Sequence, residues 1–187
     1  MTGDVIGVTA LIGVCIDSKS IFGIIHHPFD EEKPSYYGGP GIILHKTLDP
    51  FTSGGGPVEI LPPKEEPTVL STKYHDNPTI TNYIDRLPMK IERVGGTGLK
   101  CTYVALGVHT AYIYPTPNTK KWDTAGPEAI LNAVGGVIVD MNGNNYEYHE
   151  NVDKINREGL ICCKDQAIIA NAIEEYAKYK AELENNS

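Results

Sequence analysis

The chain of 187 residues has no apolar run long enough to cross a bilayer. Its longest apolar stretch, residues 5–15, is interrupted by Gly7, Thr9 and Gly13. No basic segment precedes that stretch, so a secretory leader and a membrane partner are not expected, and the chain reads as cytoplasmic. Positive charge is also scarce: 16 Lys and Arg stand against 24 Asp and Glu, a net charge of -8. A sequence-independent grip on nucleic acid needs a basic face and is excluded. A small anion is not, because a few cations gathered at one site outweigh a distant negative surface. Cysteine is limited to Cys15, Cys101, Cys162 and Cys163, which show no zinc spacing and lie among apolar residues. Reduced, buried thiols are therefore expected. Internal repeats and low-complexity tracts are absent. What remains, 41% hydrophobic and 21% charged residues, suits one ample domain or a domain with part of another.

Residues 5–16 and 21–26 are β-rich runs joined by Asp17-Ser18-Lys19-Ser20, which reads as a hairpin. Residues 28–41, with their prolines, glycines and acidic side chains, are expected to form a surface loop, followed by a short strand over 42–45. The irregular stretch 52–64, with a small strand over 58–61, marks the expected division. Residues 1–62 would then be an antiparallel remnant of an α+β domain, and residues 63–187 an α/β domain. From Thr68 onward strand and helix alternate. Strands are expected over 68–72, 90–94, 111–114, 137–141 and 159–163. Helices are expected from Asn77-Pro78 to about Leu87, then over 96–106, 124–134 and 165–183.

Three segments carry residues that could do chemistry. Trp122-Asp123-Thr124 sets a carboxylate where a helix begins. Asp123 or Thr124 there is either an N-cap, with Trp122 in the nearby core, or Asp123 faces a cleft as a hard oxygen ligand for a divalent cation. Spacing alone favours the cap. Gly95-Gly96-Thr97-Gly98-Leu99-Lys100 leads from strand to helix. It does not meet the P-loop pattern, and it is either a tight turn or a cradle of backbone amides for a phosphate. Thr72-Lys73-Tyr74-His75 ends a strand, and a lone histidine at such a position reads as a surface residue.

The stretch Lys121-Trp122-Asp123-Thr124-Ala125-Gly126-Pro127-Glu128-Ala129-Ile130-Leu131, followed by Val134-Gly135-Gly136 and Asp140, resembles the C-terminal signature of the inositol monophosphatase superfamily. With Lys120 and Pro127 included it is most similar to the 3'(2'),5'-bisphosphate nucleotidase branch. That branch carries Cys-Ala where this chain has Ala125-Gly126, a departure expected to touch packing alone. The glycine turn ending in Lys100 matches the branch at the equivalent strand-to-helix junction. Residues 8–13 and 23–28 resemble its paired strands. The resemblance implies an α/β fold, a layered α/β sandwich of the sugar-phosphatase type with the N-terminal part of its first sheet domain missing. It also implies removal of the 3'-phosphate of adenosine 3',5'-bisphosphate to give AMP, with magnesium (Mg) as cofactor and inhibition by Li⁺. Asp123 inherits the role of metal ligand, and Gly96 and Lys100 that of nucleotide contacts. Thr72 and His75 match a substrate-binding strand end, although Lys73 replaces a frequent arginine and loses its bidentate fork, and Tyr74 replaces a small residue.

The family's other metal ligands come from an N-terminal glutamate and a D-P-x-D-G-T segment, both expected upstream of Met1. Asp49-Pro50-Phe51-Thr52 begins like that segment but lacks its second aspartate. Gly3-Asp4 is too close to the start to serve. Glu31-Glu32 and Glu65-Glu66 read as solvated surface. The chain alone is therefore expected to bind a small phosphate monoester without turning it over, and to be poorly soluble because of open sheet edges. An inositol (poly)phosphate phosphatase and a non-catalytic nucleotide-binding protein are the alternative readings. Oligomeric state is left open.

Overall fold

A computed structural model describes residues 5, 7–48, 55–74 and 77–185. The chain first builds a five-stranded antiparallel sheet in the order β1-β2-β3-β4-β5: Ala10–Ile16, Lys19–His26, Ser35–Gly39, Ile42–Thr47 and Gly56–Pro57. The β1–β2 hairpin turns at Asp17 and Ser18, both with positive φ of 49° and 65°. This is the turn handedness that matches the twist of the flanking strands. β3 overturns the expected surface loop. Its glycines are strand residues because a Cβ at Gly38 would press on Leu44, and one at Gly39 would run into the Ile21 carbonyl. The expected strand over 58–61 is irregular instead: Gly56–Pro57 pairs with β4, and the Val58 amide adds one bond to the Leu44 carbonyl at 2.9 Å.

The second sheet has the order β7-β6-β8-β10-β9. Its parallel part is β6 (Thr68–Thr72), β7 (Lys90–Val94) and β8 (Ala111–Tyr114); β10 (Leu160–Cys163) runs antiparallel to β8 and β9 (Val137–Val139). Helix α1 (Pro78–Ile84) links β6 to β7, and α2 (Thr97–Ala105) links β7 to β8. The first link steps one way along the sheet and the second steps back past β6. Right-handed crossovers then put the two helices on opposite faces. α1 packs with the C-terminal helix α4 (Gln166–Asn185), and α2 with α3 (Lys121–Asn132). The buried ring of Tyr83 meets Tyr176 edge-on, and its hydroxyl donates to the Ala172 carbonyl at 2.7 Å.

α3 also carries the first sheet. A Cβ on Gly13 would lie 2.7 Å from the Gly126 amide nitrogen, and one on Gly23 would overlap the Gly126 carbonyl. A Cβ on Gly126 would lie 2.5 Å from the Ile12 carbonyl oxygen. Three glycines thus let the helix rest on the sheet backbone, and the buried Ser20 hydroxyl donates to the Ala125 carbonyl at 2.5 Å. The opposite face of that sheet stays open: Ile12, Val14, Ile16 and Ile43 are exposed. Cys101, Cys162 and Cys163 are buried, Cys15 is half-buried, and all four are free thiols, as their apolar surroundings suggest. No helix among the described residues is long and apolar enough to cross a membrane.

Candidate functional site

In an open sheet with parallel strands, the crevice for ligands lies beyond the carboxyl ends, where the winding reverses. Here that point is β6, flanked by β7 and β8. A cavity of about 350 Å³ opens there, lined by Thr72 of β6, Gly96 and Lys100 from the β7–α2 junction, Tyr112 and Tyr114 of β8, and Asp123 of α3. A second cavity of similar size meets it across Tyr74, Gly95, Gly96, Thr97 and Asp123 and extends to Thr9 and Leu11. Four of the five sequence-derived site residues therefore share one cleft. The fifth, His75, lies outside the described residues, as do residues 49–52 and Gly3-Asp4. Glu31, Glu32, Glu65 and Glu66 are exposed and are not among the residues that line the cleft.

Helix α2 presents its N-terminus to the cleft. Its cap is Gly96, at φ 77° and without a side chain to satisfy the first amides. Only glycine fits this position. The φ is left-handed, and a Cβ would collide with the Gly7 carbonyl. The first-turn N–H groups and the positive end of the helix dipole remain available to an anion. Lys100 sits one turn along and is almost fully buried. Its Nζ donates to the Val94 carbonyl at 3.2 Å and lies 4.5 Å from the centre of the Tyr112 ring. Burial lowers its pKa to about 8. The cation is held out of water and waits for a counter-charge, since no carboxylate pairs with it among the described ion pairs.

Asp123 is not the helix cap, although it serves the helix end and also borders the cleft. α3 begins at Lys121, three residues before the expected start, so Asp123 is the third helical residue rather than the cap. Its Oδ2 accepts the Lys120 amide at 2.8 Å, closing the helix end from inside. The same carboxylate borders both cavities. Pro127 has no N–H to return to the Asp123 carbonyl, which loosens the ladder at this point. Trp122 is not a core residue; it is 62% exposed. The Asn156 side chain fastens this helix end, donating to Thr119 Oγ1 and the Lys120 carbonyl, both at 3.1 Å.

Among the described residues no three His, Cys, Asp or Glu side chains converge on a point where they could enclose a metal ion. Asp123 is one carboxylate at the cleft, with one oxygen already engaged by the Lys120 amide. These residues do not make a metal centre by themselves. Tyr112, Tyr114 and Asn118 line the cleft without having been marked by any motif. Asn118 donates to the Tyr114 hydroxyl at 3.1 Å. Their local sequence holds no signal for this, because it is the placing of β8 beside β6 that brings them in.

Comparison with known proteins agrees with this architecture. The human 3'(2'),5'-bisphosphate nucleotidase 1 is 35% identical over 159 residues, 82% of this chain and 50% of that protein. The mouse protein of the same name is 35% identical over 185 residues, 96% of this chain and 56% of its own length. The chain thus spans about half the length of the curated relatives it matches. Among solved structures, CysQ from Bacteroides thetaiotaomicron superposes with a TM-score of 0.70 at 20% identity, covering 84% of this chain and 63% of that one. The profile of the inositol monophosphatase family matches residues 6–184, and the chain belongs to that family.

Proposed function

We propose that the cleft binds a small phosphate monoester, and that the protein of which these residues form the site is a Mg²⁺-dependent phosphomonoesterase removing the 3'-phosphate of adenosine 3',5'-bisphosphate to give AMP. One observation carries this reading. An uncapped helix N-terminus and a buried, unpaired lysine share a cleft with a carboxylate. The first two recruit an anion, yet Asp123 repels one unless a cation lies between them. A hard divalent ion shared by Asp123 and a substrate phosphate resolves the conflict, and the likeness to the nucleotidases supports the nucleotide as substrate.

In this reading Gly96 gives the phosphate close access to the first-turn amides, Lys100 neutralises it, and Thr72 and His75 hold the nucleotide from the end of β6. When bound, the metal supplies charge neutralisation and an activated water. A single carboxylate holds Mg²⁺ weakly, because the ion surrenders its water reluctantly. The chain by itself therefore binds the ester without hydrolysing it, and a cytoplasmic location is part of this reading. The test is phosphate release from adenosine 3',5'-bisphosphate by this chain in Mg²⁺. Binding without release is expected. Turnover at the rate of a nucleotidase relative would overturn the division between binding and catalysis.

A further inference from the structure

A separate cavity of about 400 Å³ opens at the far edge of the mixed sheet, beyond the amino ends of β6 and β8 and the carboxyl end of α2. Its walls include Leu61 and Pro63 from the connector between the sheets, Gly107 after α2, His109 before β8, and the cations Lys64 and Lys164. The shape is fixed by main-chain contacts. The Leu61 amide donates to the Leu106 carbonyl at 2.9 Å, and Gly107, at φ 79°, leaves no room for a Cβ beside the Leu61 carbonyl.

The charges in this cavity are not self-satisfied. Asp165 lies on its rim, but its Oδ1 is engaged as the cap of α4, accepting the Ala167 amide at 2.8 Å. His109 is buried; its Nδ1 pairs with Thr68 Oγ1 at 3.1 Å, and burial lowers its pKa, so it stays neutral. Lys64 is exposed and has no carboxylate partner among the described ion pairs. Half-buried Lys164 reaches only the Ala105 carbonyl, at 3.4 Å. The lining holds two cations and one carboxylate over an apolar floor, and Glu92, outside the lining, lies 3.7 Å from His109 Nε2. A volume in the range of small-molecule sites is far larger than a bare inorganic anion needs.

We propose that this cavity is a second binding site, for a small organic monoanion with an apolar body, an aromatic or branched aliphatic carboxylate or sulfonate. Lys64 and Lys164 take the acid group, and Leu61 and Pro63 cover the body. Occupancy draws Lys164 from the α2 carboxyl end toward the ligand. The site is independent of the phosphate cleft, which lies at the opposite end of α2.

Naphthalene-2-sulfonate is the probe, with uncharged naphthalene-2-sulfonamide as its control, titrated into the ¹⁵N-labelled chain. Saturable amide shifts are expected at residues 61–66, 107–110 and 164–166, with the sulfonamide about tenfold weaker. Lys64→Gln combined with Lys164→Gln should weaken the sulfonate by about tenfold and leave the sulfonamide unchanged. Lys64→Gln alone, at an exposed position that cannot disturb the fold, should show part of that loss. Saturating adenosine 3',5'-bisphosphate should not displace the probe. Shifts confined to the open face around Ile12, Val14 and Ile43, shifts confined to residues 95–100, equal binding by the lysine variants, or no saturation would each overturn the proposal.

Discussion

Two buried ionisable side chains set pH dependences of the same sign in two separate windows at the scale of single residues. His27 is 2% exposed, neither ring nitrogen has a hydrogen-bond partner among the described residues, and Tyr36 meets it edge-on. Burial first, and Lys33 second, lower its pKa to about 4; Asp30 opposes them more weakly. The unfolded chain therefore binds a proton more readily than the folded one between about pH 6.5 and pH 4. The stability from neutral His27 is complete above that window and is lost as pH falls through it, by on the order of 3 kcal/mol. Urea melts across this range should show that slope, and His27→Phe should flatten it.

Lys100 is the second case. Its pKa of about 8 means that the fold carries a destabilising cation at neutral pH, and that stability rises as pH climbs from 8 toward the unfolded value. Lys100→Met should stabilise the protein by on the order of 2 kcal/mol at pH 7. The same change should weaken phosphate-ester binding at least about tenfold. A variant that lost stability would show that the lysine is structural.

At the scale of elements, the contact between α3 and the first sheet depends on Gly13, Gly23 and Gly126. The Ala125-Gly126 pair was expected to affect packing alone, and packing is where it acts: no side chain fits at Gly126 beneath the Ile12 carbonyl. Gly23→Ala should cost about 3 kcal/mol or more in a thermal or urea melt. Gly56→Ala, where a Cβ meets nothing within 4 Å, is the matched control and should be nearly neutral.

The parallel strands 68–72, 90–94 and 111–114 were legible to the residue: the first and last are fully buried short runs between turn signals, and the partly exposed edge strand 90–94 is closed by Gly95-Gly96. β3 was not. Its glycines serve close backbone approach, which in sequence looks the same as a turn. The early start of α3 was hidden too, since its stabilising carboxylate sits inside the helix and reaches back. Thr72, Gly96, Lys100 and Asp123 could be named through motifs, whereas Tyr112, Tyr114 and Asn118 depend on strand order, which no local pattern encodes.

At the scale of the whole molecule, the first sheet has one face on α3 and one in solvent, and among the described residues β1 pairs only with β2. Exposed Ile12, Val14 and Ile16 on an open edge favour self-association. Replacing Ile12 and Val14 with lysine should raise the monomeric fraction in sedimentation runs without weakening ligand binding.

The same molecule sets a helix N-terminus, a buried cation and a carboxylate around one cleft, and the account stands on the conflict among those three charges. Calorimetric titration of adenosine 3',5'-bisphosphate into the chain and into Asp123→Asn, each with Mg²⁺ and with chelator, tests it most directly. The account predicts that Mg²⁺ tightens binding to the parent chain. In Asp123→Asn it predicts tighter binding in chelator and little response to Mg²⁺. Equal binding by the parent chain in both conditions, or an undiminished Mg²⁺ response in Asp123→Asn, would contradict it.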